Sequence, residues 1–406
     1  MTINKKISAR ITAIIIMLIS FSAPQTKAQE KQLRLANIPH SPNIHSENGN
    51  DTLVFPAGKE KFVPLFTQLH TLLYNRTGNV NILHIGGSHV QAGFLSHKIR
   101  TNLDSIANLP VANRGLIFPY KAIKTNAPYD YKITYTGNWN STRCIEKSPS
   151  VPLGLSGAAA TTNDPNATIT IHTNTLGKWA PEDMIVLGKG TDKTATPSIT
   201  HIGDSITISF KGLSDSISYS LRAVLPLTHH DGITYTASGI NGAALSSWLR
   251  CSEFEDELSL LPPQLAILGI GVNDANVLPK DFKAEEFKEK YRQLISKILN
   301  VSPQCTFIFI TNNDCWFNVA GKKRQFNTNT QMVQKAMYEL AEEYGGAVFD
   351  VYKLMGGLGS STKWVKAKLM KADHIHFTRE GYEIIADILY NALAKEINRH
   401  NTQSVR

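Results

Sequence analysis

Four short stretches of this chain hold the side chains that could do chemistry together, and the first is Asn81-Ile-Leu-His-Ile-Gly-Gly-Ser88-His-Val-Gln-Ala-Gly93. Its apolar run, Ile82, Leu83 and Ile85, stops at two glycines and a serine, and the next fifteen residues set Phe94, Leu95, Ile99 and Leu103 on one helical face. The pattern predicts strand, tight turn, helix. A serine at such a turn lies where an open α/β sheet presents its ligands, with the free N–H groups of a helix start facing a developing anion. Ser88 is therefore a candidate nucleophile. Gly-Gly-Ser alone is an ordinary loop signal, so the rest of the chain must decide. The other three stretches are Ala237-Ser-Gly-Ile-Asn-Gly242-Ala, Gly269-Ile-Gly-Val-Asn273-Asp274 and Asp373-His-Ile-His376-Phe.

These residues meet only if the elements between them form a sheet whose loops open on one edge. A chain of 406 residues, 42% hydrophobic and 18% charged, is long enough for one large or two modest globular domains. Residues 1–28 read as a signal peptide: Lys5, Lys6 and Arg10, the apolar run Ile11 to Phe21, then Thr26-Lys27-Ala28 as a cleavage site. That run is short for a membrane span. Cleavage after Ala28 is expected, with no stable span afterwards and an exported, periplasmic or extracellular protein. Residues 29–55, with Pro39 and Pro42, form a polar leader with little reason to fold alone.

Phe62, Leu65, Phe66, Leu69, Leu72 and Leu73 then predict a helix before the first strand, so that 56–124 is the first part of an α/β core. From 125 to 230 the texture changes to Thr, Ser, Gly and Asn with short alternating runs such as Ala167-Thr-Ile-Thr-Ile-His172 and Ile206-Thr-Ile-Ser-Phe210. Such runs predict an inserted all-β sandwich. From 231 to 398 strands (Gly232–Ala237, Leu265–Ile270, Thr306–Ile310, Ala347–Asp350) alternate with helices near 244–260, 283–300 and 328–344 and a final helix. That alternation predicts a doubly wound parallel sheet, the second part of the core, with all four chemical loops at one sheet edge.

In this order the four stretches resemble the blocks of the SGNH, or GDSL-type, esterase family: serine, glycine, Gly-x-Asn-Asp, then Asp-x-x-His. The resemblance covers roughly 80–120 and 231–398. It implies an SGNH hydrolase core in which Ser88 is the nucleophile, His376 the base and Asp373 the acid that orients it, with an oxyanion hole from the Ser88 and Gly242 N–H groups and the Asn273 side chain. Gly239 is the alternative to Gly242. The Ser88-His-Val-Gln-Ala-Gly variant, the Asn113-Arg-Gly-Leu-Ile-Phe-Pro segment and the β insertion look most like the branch of peptidoglycan O-acetylesterases, whose insert is a jelly-roll-like, carbohydrate-binding sandwich. The implied activity is a secreted serine esterase that removes acetyl groups from a glycan, with O-acetylated peptidoglycan the first choice. The alternatives are a polysaccharide O-acetyltransferase using the same site and a non-catalytic carbohydrate-binding surface protein.

The family usually has Gly-Asp-Ser where this chain has Gly86-Gly87-Ser88, and a second segment, Ile202-Gly-Asp-Ser205-Ile, carries the aspartate. Alternation on both sides of Ser205 places it in or between strands, with no following helix. Ser88 is preferred on that ground. Of the neighbours, His374 is expected to point away from a site that His376 faces, His89 to order the first turn, Asp274 to support its loop and Thr378 to cap the final helix. Asn312, Asn313 and Asp314 fit either a substrate groove or loop capping.

The formal charge of +9 falls to +5 without residues 1–28, which carry four cations and no acid. A mild basic excess suits a polyanionic glycan, and no basic block argues for nucleic acid. The four cysteines, Cys144, Cys251, Cys305 and Cys315, have no metal-site spacing and could pair in an exported chain, with Cys305 expected to be simply buried. With no phosphate loop, dinucleotide fingerprint or His-x-x-x-His cluster, neither cofactor nor metal is expected.

Overall fold

A computed structural model describes residues 33–39, 44, 49–105, 112–173, 181, 183–227, 230–317, 321 and 323–404. The expected signal peptide lies outside the described residues. In chain order the first elements are β1 (Leu53–Val54), α1 (Val63–Asn75), β2 (Asn79–Gly86), α2 (Ser88–Gln91), α3 (Phe94–Ser105) and β3 (Ala112–Arg114). Eight strands follow: β4 (Lys132–Thr136), β5 (Asn140–Arg143), β6 (Ala158–Thr162), β7 (Thr168–His172), β8 (Asp183–Gly190), β9 (Thr196–Ile202), β10 (Ser205–Lys211) and β11 (Tyr219–Leu227). Then come β12 (Gly232–Gly239), α4 (Leu245–Leu249), α5 (Phe254–Leu258), β13 (Leu265–Gly269), α6 (Ala284–Val301), β14 (Thr306–Ile310), β15 (Trp316–Phe317) and β16 (Gln325–Phe326). The chain ends with α7 (Asn329–Tyr344), β17 (Ala347–Phe349), α8 (Val351–Met355), α9 (Ser360–Lys366) and α10 (Arg379–Ser404).

The α/β part has the doubly wound architecture expected from the sequence. Its seven-stranded sheet has the order β1-β17-β14-β13-β2-β12-β3, parallel throughout except for the two-residue edge strand β1. Strand β2 lies where the chain turns from one half of the sheet to the other, between β12 and β13, and this is where an open α/β sheet binds its ligands. Successive residues of β2 serve opposite layers. Val80 and Ile82 pack with residues of α1, α3 and α10, while Leu83 and Ile85 join a core that includes Leu294 of α6, Trp248 of α4 and Ala158–Ala160 of the β insert.

Strands β4 to β11, in the segment expected as an insert, form two four-stranded antiparallel sheets, β4-β7-β10-β9 and β5-β6-β11-β8. The first alternates along β7 and β10, with Ile169, Ile171, Ile206 and Ile208 buried and their neighbours half-buried, as a sheet with one wet face must. Strand β11 is buried along eight of its nine residues because it lies between that sheet and the α/β core. The core and insert share buried polar bonds. Ser238 Oγ donates to Leu155 O at 2.6 Å, and Arg222 donates to Glu257 at 2.5 Å. From Leu33 onward the chain forms one compact unit.

Three local expectations need correction. The helix after Ser88 is two helices, because Gly93 adopts φ +78 between α2 and α3. The segment near 244–260 likewise divides into α4 and α5 around Arg250 to Glu253. The polar leader is partly held: Asn391 and Asn398, two turns apart on α10, each pair with a backbone N–H and C=O, Asn391 with Ala36 and Asn398 with Leu33. Periodicity does not register such amide pairing, since it engages backbone and not an apolar face.

Candidate functional site

Ser88 is the first residue of α2, directly beyond the C-terminal end of β2. Gly87 O accepts the N–H groups of Val90 at 3.2 Å and Gln91 at 3.0 Å, which closes the turn without the aspartate usual in the family. A Cβ at Gly87 would stand 3.3 Å from Asn273 Nδ2 and 3.5 Å from Ala243 O, so a side chain here would crowd the amide beside the serine.

The stretch at 373–376 is a tight turn before α10. Asp373 Oδ1 accepts the N–H groups of Ile375 and His376, both at 2.9 Å, and His374 takes φ +58 so that the chain can double back. These bonds bring Asp373 Oδ2 to 2.8 Å from His376 Nδ1, and His376 Nε2 to 2.8 Å from Ser88 Oγ. In the matching tautomer, assigned from these partners, Ser88 donates to Nε2 and Nδ1–H donates to Asp373. Burial works against ionising Asp373, but the N–H of His376, its ring and the N–H of Ile375 outweigh it and hold the carboxyl below its usual range. The carboxylate is thus charged where a neutral imidazole is to be held in one tautomer.

The other two loops meet beside Ser88. Gly242 adopts φ +80 with nothing within 4 Å of where a Cβ would project, whereas Gly239, the alternative, is packed against the backbone of α2. Asn273 gives one amide proton to Ala243 O at 2.9 Å, which leaves the second for the cavity that it lines. That cavity holds about 810 Å³ and is lined by Ser88, His376, Gly242 and Asn273, by the amides of Asn126, Asn241, Asn276 and Asn327, by Phe94, Tyr129, Trp316 and Tyr382, and by Lys371. The structure thus brings together all five residues that the sequence singles out.

The neighbours sort themselves by contact. His374 stacks on Trp316, ring centroids 4.0 Å apart, and so backs a wall of the cavity. His89 bonds Tyr382 Oη through Nδ1 at 2.7 Å, and burial, with His376 nearby, pushes its pKa down to about 3, so it stays neutral. Both carboxylate oxygens of Asp274 accept the Leu245 N–H, at 3.2 and 3.1 Å. Asn312, Asn313 and Asp314 are buried; Asn313 donates to Ile375 O at 3.1 Å, bracing the 373–376 turn from behind. Thr378 Oγ1 accepts the Gly381 N–H at 3.3 Å, the expected cap. All four cysteines are buried and unbridged, Cys305 among them.

Sequence reasoning missed Gln91, Trp316 and the cavity-lining Asn126, Asn276 and Asn327. Gln91 lies inside the Ser88 stretch and carried a signal by position. The others come from loops far apart in the chain, where no periodicity marks them. Among the described residues no group of three His, Cys, Asp or Glu side chains is placed to hold a metal ion.

Residues 201–384 match the sequence model of the GDSL-like Lipase/Acylhydrolase family. The matched span opens on the β9–β10 hairpin and runs through Gly242, Asn273 and His376 without including the Ser88 turn. A solved structure titled "Peptidoglycan O-acetylesterase in action" superposes with a TM-score of 0.69 at 19% identity, covering 86% of this chain and 99% of that one. A lipase/acylhydrolase from Enterococcus faecalis aligns over 41% of this chain and 78% of its own at 20% identity with a TM-score of 0.31. An acetylxylan esterase from Geobacillus stearothermophilus aligns over 41% and 73% at 18% identity and 0.29. Among curated proteins no sequence matches the chain. Over residues 201–384 the chain is thus similar to GDSL-like lipases/acylhydrolases, which are carboxylic ester hydrolases, and as a whole it shares the fold of the O-acetylesterase structure.

Proposed function

We propose that this esterase removes acetyl groups from an O-acetylated glycan through an acyl-serine intermediate, and that it works outside the cytoplasm. The observation that carries the proposal is the hydrogen-bonded series Ser88–His376–Asp373 at the wall of a cavity lined by five asparagine amides and four aromatic rings. Serine is a weak nucleophile until a base takes its proton, and His376 Nε2 at 2.8 Å is placed to do so. As Ser88 Oγ bonds to the acyl carbon, its proton passes to His376, and the carbonyl oxygen gains the charge. The Ser88 and Gly242 N–H groups and the free Asn273 amide proton stabilise that oxyanion. Asp373 stabilises the imidazolium. His376 then returns the proton to the departing sugar oxygen, and a water deprotonated by the same ring frees acetate from Ser88.

Amide and ring walls suit a glycan, since rings stack on pyranose faces and amides bond hydroxyls; they offer little with which to desolvate a long acyl chain. Each additional buried methylene gains about 0.8 kcal/mol, so a lipase improves with chain length and this enzyme should not. Lys371 on the wall and the net charge, +5 without residues 1–28, favour an anionic polymer, which puts O-acetylated peptidoglycan first. The test is acid release from O-acetylated peptidoglycan, acetylated xylan and long-chain p-nitrophenyl esters. Acetate from peptidoglycan at the highest rate is the expected result; preference for long-chain esters would refute the small-acyl reading, and release from xylan alone would change the substrate.

A further inference from the structure

Gln91 stands three residues beyond Ser88 on the same short helix and is 2% exposed. Both ends of its amide are engaged. Nε2 donates to Asn126 O at 2.8 Å and to Thr125 Oγ1 at 3.2 Å, and Oε1 accepts the backbone N–H of Asn241 at 2.6 Å. Asn241 immediately precedes Gly242, which has a left-handed backbone and lines the cavity. The same loop is held from the far side by the Asn273 amide on Ala243 O and by Asp274 on the Leu245 N–H. Among the described residues, Gln91 alone ties it by a side-chain hydrogen bond to the helix that bears the serine.

We infer that Gln91 is a positioning residue for the oxyanion hole: its Oε1 holds the Asn241 N–H, and through Asn241 sets the place of the following Gly242 N–H relative to Ser88, so that nucleophile and hole keep one geometry. The inference rests on the roles of Ser88 and Gly242 proposed above. A donor aimed at a transition-state oxygen loses most of its effect when displaced by an ångström or so, and such displacements reduce rates by up to about 10²-fold. Burial in a dry pocket alone would not require an acceptor at this position; a methionine would fill it equally well.

The experiment compares Gln91→Met, which keeps the shape and loses every bond, with Gln91→Glu, which keeps the acceptor for Asn241 and loses the donors to Thr125 and Asn126. On p-nitrophenyl acetate, Q91M should lower kcat roughly 10- to 100-fold with KM within about twofold, because the hole acts on the transition state. Q91E should stay within about threefold of the parent kcat. Equal falls in both variants, or a fall carried by KM, would overturn the inference. If Q91M fails to fold, Q91E decides alone: a tenfold loss of kcat there places the effect on the donor side and overturns it. A parent protein that hydrolyses no ester and takes no fluorophosphonate on Ser88 refutes the function proposed above; an active parent whose folded Q91M matches it refutes only the role of Gln91.

Discussion

Ser88 and Ser205 both follow a strand and a turn that contains glycine, and the chain uses the two settings differently. Ser88 ends a parallel strand. Its neighbours β12 and β13 end at the same level, Gly239 and Gly269 both pairing with Gly86, so three loops converge on one point. Ser205 begins β10 after a two-residue turn, Gly203-Asp204, and pairs with Ile202 of β9 on one side and His172 of β7 on the other. In an antiparallel sheet the strand ends alternate in direction, so neighbouring loops point to opposite edges and nothing converges on the serine. A family signature at Ser205 and a working geometry at Ser88 are therefore compatible: the motif describes four residues, whereas catalysis depends on what the topology brings to them.

The largest effect should come from Ser88→Ala. Serine and base act as a unit, so removing either should lower kcat about 10⁴- to 10⁶-fold while leaving the fold intact. A fluorophosphonate, which reacts only with an activated serine, gives the sharper measurement. Labelling mapped by mass spectrometry to Ser88 is expected; label on Ser205 would reverse the comparison.

Next in size is Asn273→Ala. In its proposed role the amide stabilises a charge present only in the transition state, so kcat should fall roughly 10²- to 10³-fold with KM little changed. Loss through KM instead would move Asn273 to substrate binding. Loss of the Ala243 contact adds a contribution through the Gly242 loop, which kcat on a small ester also records.

The same contrast explains what was legible in the sequence. Strands and helices of the core declare themselves by period, and the four chemical stretches by their positions after apolar runs. Gly87, which departs from the family motif, is intelligible only once Asn273 and Ala243 are seen 3.3 and 3.5 Å from its missing side chain. Trp316 and Asn327 are ordinary loop residues by sequence and become cavity walls where β15 pairs with β16 beside the site. The insert was legible as β structure from its alternation, yet β11 reads as one more alternating strand and is in fact buried on both faces.

That burial sets the third expectation, in the region of the insert. Arg222 of β11 meets Glu257 of α5, side chains 10% and 4% exposed. Burial raises the Glu257 pKa even with Arg222 beside it. Arg222→Leu strands a buried carboxylate held only by the Leu155 N–H, which costs about 3–5 kcal/mol. Urea unfolding should show one cooperative transition moved to lower concentration, with kcat of the folded enzyme on p-nitrophenyl acetate nearly unchanged. Two separate transitions, with only one of them displaced, would mean that the sandwich folds by itself and that the shared core matters less than its burial suggests.

The smallest expected effect is the most discriminating between the two serines. Ser205 is half-buried beside a hairpin turn, and alanine fits an extended strand, so Ser205→Ala should change stability by no more than about 0.5 kcal/mol. Activity on both p-nitrophenyl acetate and glycan should be unaltered, because no loop of the parallel sheet ends near this strand. The hairpin also gives a reason to measure polymer and small ester separately. Ser205 shares its sheet face with Thr207, Ser209 and the paired Thr170, so a loss confined to the polymer would indicate that this face touches glycan, while leaving the chemistry to Ser88. A loss of kcat on the small ester with an unchanged Tm is the outcome that the antiparallel geometry does not permit, since it would require a base within hydrogen-bond reach of Ser205, and His376 is already bonded to Ser88.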